Sequence, residues 1–75
     1  MTAGERYRLP DGVPVTVARP SNLGLSIAWE LVGPFGTRWA VDHSGGVARI
    51  EPGRRGGHVL RSTGWLVKDL GRGST

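Results

Sequence analysis

Turn-forming residues interrupt this chain so often that no long element has room to form. Pro10-Asp11-Gly12, Pro20-Ser21-Asn22, Gly33-Pro34-Phe35-Gly36, Ser44-Gly45-Gly46 and Pro52-Gly53-Arg54-Arg55-Gly56-Gly57 divide it into segments of strand length. Proline presets φ and glycine accepts a positive φ, so each cluster answers the backbone demand of a turn.

Between the breaks, apolar residues recur with period two. Tyr7-Arg8-Leu9 is a short strand candidate, and Val13, Val15 and Val17 alternate with Pro14, Thr16 and Ala18 up to Arg19. β-branched residues at that period indicate a half-buried strand. Pro14 has no amide hydrogen, so this strand begins at an edge or pairs from Val15 onward.

In the next segment Leu23, Leu25, Ile27, Trp29 and Leu31 alternate with Gly24, Ser26, Ala28 and Glu30. A helix over 21–32 is the rival, because Ser21 or Asn22 could cap it, Leu23, Ile27 and Leu31 recur every four residues, and Gly33-Pro34 would stop it. The strand is favoured, since a helix leaves Leu25 and Trp29 off the apolar stripe and places Gly24 inside it. Trp39 and Val41 then alternate with Arg38 and Asp42, and Val47–Glu51, His58–Ser62 and Gly64–Asp69 are three further candidates.

Short strands joined by hairpin-length turns predict an all-β antiparallel meander. A sheet this small buries its apolar face best by curling on itself, so the expected architecture is a five- to six-stranded SH3-like barrel. An open β-sheet completed by a second copy is the first alternative, and an α+β arrangement with a helix at 21–32 the second. Residues 1–70 are read as one domain. The tail 71–75, Gly-Arg-Gly-Ser-Thr, has nothing to bury and is expected to be disordered.

With 75 residues, the chain exposes a large share of its surface even when folded. It has no cysteine, so disulfides, thiolate nucleophiles and cysteine-ligated zinc are excluded together. No apolar stretch approaches membrane-span length and no apolar run follows the N-terminus, so a cytoplasmic location without membrane contact is expected.

The charge is unevenly placed. Residues 1–48 carry four basic and four acidic side chains, whereas 49–75 carry six basic and two acidic, so the net +4 lies wholly after residue 48. Nine of the ten basic residues are arginine. That skew is what a GC-rich bacterial genome produces through codon usage, so placement is more informative than number.

Little in the chain points to catalysis. Asp42-His43-Ser44 holds the residue types of a hydrolytic triad, but neighbours along a strand point to opposite faces. His43 and His58 are the only histidines and the carboxylates are scattered, so neither a metal site nor a cofactor is expected. Gly53-Arg54-Arg55-Gly56 matches the G-x-x-G pattern with which KH domains clamp a nucleic-acid backbone, although the helices that flank such a loop are missing here. The bland reading is a glycine-rich hairpin with solvated arginines. Arg49, His58, Arg61, Lys68 and Arg72 share its charge-biased third, and on adjoining strands they could merge into one positive face.

The sequence therefore leads to a non-enzymatic binding module that contacts nucleic-acid phosphates without reading sequence, through Arg49, Arg54, Arg55, Arg61 and Lys68. The alternative is a protein-interaction or self-associating accessory module. Trp29, Trp39 and Trp65 are expected in the core, and a solvent-exposed tryptophan would introduce stacking of a base or capture of a peptide side chain.

Overall fold

The computed structural model describes residues 1–20 and 23–73. Seven strands form a single antiparallel sheet: β1 (Arg6–Arg8), β2 (Pro14–Ala18), β3 (Ile27–Val32), β4 (Arg38–Asp42), β5 (Gly46–Pro52), β6 (His58–Leu66) and β7 (Gly71–Arg72). Their order is β6-β5-β4-β3-β2-β1-β7, a meander whose last strand pairs beside the first. Three single-turn 3₁₀ segments, at Pro34–Gly36, Arg54–Gly56 and Val67–Asp69, are the only helical features among the described residues.

The sheet must curl. Six strand spacings of about 4.8 Å would put the two ends of a flat seven-stranded sheet roughly 29 Å apart. The chain passes from Leu66 at one end to Gly71 at the other in five residue steps, which span at most about 18 Å. The resulting half-barrel encloses Leu9, Val15, Val17, Leu31, Trp39, Val41 and Val47, with Trp29, Trp65, Val67 and Leu70 packed partly buried against them. Leu31 is completely inaccessible.

The segment with two rival readings is a strand from Ile27 to Val32. Ser21 and Asn22, the candidate helix caps, lie outside the described residues. The alternation does not extend back to Leu25, which sits in a turn and is 98% exposed. A register shift between Ile27 and Trp29 then separates the apolar set. Trp29 and Leu31 face the main core, while Ile27 joins Ala40, Ile50 and Leu23 in a second cluster.

The seventh strand corrects the expectation of a disordered tail. Gly71 and Arg72 pair with Arg8 and Tyr7, and the Gly73 amide donates to the Arg6 carbonyl at 3.1 Å. Strand pairing uses backbone groups, so a segment with no apolar side chain can still order on the free edge of β1. Leu70, packed on the core, brings it there. Ser74 and Thr75 lie outside the described residues.

β6 corrects another boundary, because one strand replaces the two expected at 58–62 and 64–69. The break foreseen at Thr63 is an irregularity inside it: β5 advances two residues between Gly46 and Ala48 while β6 spans four from Ser62 to Leu66. Gly64 takes φ +79°, and the Thr63 hydroxyl donates to the Val47 carbonyl at 2.7 Å. The extra residues bend the strand, as bulges do, and Trp65 packs against the core.

Candidate nucleic-acid interface

Directly paired residues on adjacent strands share a face of the sheet. One such row runs Val17, Leu31, Trp39, Arg49, Arg61 from β2 to β6. It is buried as far as Trp39 and exposed at both arginines, because the distal half of the β5–β6 hairpin reaches past the curled part of the sheet. Two guanidinium groups directly opposite one another repel, which disfavours the pairing by a few tenths of a kcal/mol or more. Glu51 relieves part of this, accepting from Arg61 Nε at 2.9 Å. Arg61 is 72% exposed, so the ion pair adds little stability.

Arg54 and Arg55 occupy the tip of the same hairpin, both exposed. The five residues Arg49, Glu51, Arg54, Arg55 and Arg61 thus carry a net charge of +4 − 1 = +3. Arg49, Arg54 and Arg55 make no ion pair among the described residues. Lys68 is not part of this group. It follows the far end of β6, on the order of 25 Å along the strand from the tip. Arg72 lies on β7, also away from the hairpin.

The G-x-x-G match at 53–56 is a β-hairpin tip between two strands, and the molecule uses the same tip twice. In Gly33–Thr37 and again in Gly53–Gly57 the first amide donates to the fifth carbonyl, at 2.8 and 2.7 Å, and the fifth amide returns to the second carbonyl, at 3.2 and 3.1 Å. The third residue is left-handed in both, Phe35 at φ +59° and Arg55 at φ +58°, and a left-handed glycine follows, Gly36 at +74° and Gly56 at +77°. The pattern is therefore turn chemistry in this chain. A left-handed phenylalanine or arginine costs about 1 kcal/mol or more.

Because β4 and β5 are neighbours, the two tips lie at the same end of the sheet, about 10 Å apart by strand spacing. A shallow cleft of about 250 Å³ lies between them, lined in part by Gly36, Arg38, Gly53, Gly57 and His58. Phe35 stands over this end fully exposed, at 101%. The exposed aromatic is thus a phenylalanine, and all three tryptophans contact the core. Phe35 lies outside every alternating segment, so hydrophobic periodicity does not single it out. The available signal was a large apolar residue between turn glycines.

Arg38, beside the cleft, has a separate task. Its guanidinium lies 3.3 Å from the carboxylate of Glu30, which is 6% exposed, and Glu30 Oε1 has no hydrogen-bond partner among the described residues.

Asp42, His43 and Ser44 form a turn. Asp42 Oδ1 accepts from the Ser44 hydroxyl at 2.7 Å and from the Ser44 and Gly46 amides at 2.9 Å, while His43 Nε2 lies 3.0 Å from the Leu25 carbonyl oxygen. Imidazole does not stand between hydroxyl and carboxylate, so proton relay has no path. The Ser44 hydroxyl first, and then the Gly46 amide, hold the Asp42 carboxyl below its ordinary value of 3.8. A depressed folded-state value stabilises the fold above the unfolded value and is lost as pH falls through the folded one. Thermal melts at about pH 6 and about pH 3 should therefore show a larger loss in the wild type than in Asp42→Asn. Equal losses would detach this turn from acid stability.

A second hollow of about 390 Å³ opens beside β3–β6, and Asp42, committed to the turn, is its only ionisable side chain. Among the described residues no cluster of three or more histidine or acidic side chains is placed to hold a metal ion, and no helix is long and apolar enough to cross a membrane. No family model, curated protein or solved structure matches the chain.

Proposed function

We propose that this protein is a small cytoplasmic nucleic-acid-binding module of SH3-like architecture, in which the β5–β6 hairpin grips phosphates through Arg49, Arg54, Arg55 and Arg61. The observation that carries this reading is the cross-strand Arg49–Arg61 pair continuing a core row into solvent, below a tip of two more arginines. Four guanidinium groups with one nearby carboxylate make a local field that a polyanion neutralises. Lys68, placed at the other end of β6, contributes only to long-range attraction.

The reading is tested by fluorescence anisotropy with labelled oligonucleotides across ionic strength. Four phosphate contacts on a single strand give a log–log slope of about −2.8, so affinity should fall roughly fiftyfold between 50 and 200 mM salt. No binding at low salt, or binding indifferent to salt, would exclude it.

A second reading, self-association, is favoured by the free edge of β6. Among the described residues this nine-residue strand pairs only with β5, and Val59, Leu60 and Leu66 on it are exposed. Unpaired strand edges template further pairing. Two copies joined antiparallel about Leu60 place Val59 opposite Arg61 and His58 opposite Ser62, with no like charges directly opposed. Light scattering across concentration should then show a dimer that Leu60→Lys disrupts. A monomer at every concentration would remove this reading.

A further inference from the structure

We infer that Phe35 is a base-stacking platform, and that the ligand of this end of the molecule is single-stranded nucleic acid. The inference rests on the phosphate-binding reading of the neighbouring hairpin and adds the chemistry that selects an unpaired strand. Its starting point is an arrangement that folding alone disfavours: a phenylalanine whose ring touches nothing, held in the left-handed region at φ +59°. Glycine or asparagine would occupy that site with less strain, and neither would leave an apolar ring in water. The equivalent position of the sister tip carries Arg55. One loop thus presents a flat π-face and the other a guanidinium, on tips about 10 Å apart.

The surroundings decide what such a ring accepts. Apart from Pro34 next to it, the cleft beside it is lined by glycine backbone, Arg38, Ile50, Glu51, Pro52 and His58, with Arg54 and Arg55 on the adjoining tip. An apolar peptide side chain would share its burial with the two prolines alone, since Ile50 is already buried, and would leave the charges of Arg54 and Arg55 unanswered. A nucleotide offers both parts at once, a base with a π-face and a phosphate. Paired bases in a duplex already stack on one another, so a ring on a loop tip gains most from an unpaired base. Stacking of this kind tolerates any sequence, since every base has a π-face.

The experiment compares wild type, Phe35→Gly, Phe35→Asn and Phe35→Tyr on four probes of equal length: a deoxythymidine strand, a uridine strand, an abasic strand and a duplex. Wild type should bind the based strands more tightly than the abasic one by about tenfold, and more tightly than the duplex. Phe35→Gly and Phe35→Asn should lose that margin while keeping the salt slope, because the phosphate contacts remain. Phe35→Tyr should retain it. Phe35→Gly and Phe35→Asn should melt within a few degrees of wild type, since Phe35 buries nothing, and a large loss of stability in both would show the ring to be structural and overturn the inference. The deoxy and ribo arms tell DNA from RNA.

If no probe binds wild type at low salt, the phosphate reading falls, and the stacking inference with it. If wild type binds with a steep salt slope but based and abasic strands bind alike, only the stacking inference falls. Binding to anionic vesicles that Phe35→Gly abolishes, with oligonucleotide affinity unchanged, overturns it in favour of a lipid surface.

Discussion

Replacing Trp39 by alanine is expected to cost about 3 to 5 kcal/mol, which for a chain of this length is most of its stability. Trp39 is 5% exposed and lies in the row between Leu31 and Arg49, where the sheet turns from core to solvent. Its ring also rests on the Gly33 backbone, so closely that a methyl group added at Gly33 would sit 2.6 Å from Cζ3. Truncation would open a cavity beneath the β3–β4 tip that the backbone cannot collapse to fill. Urea denaturation followed by far-ultraviolet circular dichroism measures the loss without depending on the removed fluorophore. Trp39→Phe should lose less, because part of the ring volume remains. Near wild-type stability in Trp39→Ala would show that the enclosed half-barrel does not depend on this ring.

The double substitution Arg54→Ala with Arg55→Ala has the opposite profile. Both side chains are exposed on a tip held by backbone hydrogen bonds, from the Gly53 amide to the Gly57 carbonyl and from the Gly57 amide to the Arg54 carbonyl. The fold should survive. Removing two of the four proposed phosphate contacts should roughly halve the salt slope, so that affinity falls only about sevenfold between 50 and 200 mM salt. At low salt the affinity should drop roughly tenfold or more. Comparing Arg55→Gly with Arg55→Ala separates charge from strain, because both remove the guanidinium and only glycine relaxes the left-handed residue. An unchanged slope in the double variant would move the interface away from this hairpin. Lys68→Ala should leave the slope nearly unchanged, since that side chain lies at the other end of β6.

Together the two substitutions separate what holds the hairpin from what the hairpin presents. The row Val17, Leu31, Trp39, Arg49, Arg61 runs through both roles. Its inner members close the core and its outer members make the charged face. A change at Trp39 therefore reaches the arginines through the fold, whereas a change at the arginines does not reach the core.

Period-two alternation and turn chemistry in the sequence established the all-β meander, the hairpins at 33–36 and 53–56, and the core positions of Val15, Val17, Leu31, Trp39 and Val41. These follow from local rules: alternate residues face alternate sides, and glycine pairs make turns. What depends on distant segments was decided only by the tertiary structure. The shift between Ile27 and Trp29 divides one apolar stripe between two clusters, and Leu25 falls in a turn because the strand starts later than its pattern does. Gly71 and Arg72 order because curling brings the free edge of β1 within reach, which no local pattern records. The charged third of the chain is likewise divided by strand direction. Arg49, Arg54, Arg55 and Arg61 gather on one hairpin and Lys68 goes to the other end, because a strand of nine residues converts a short sequence separation into a long spatial one.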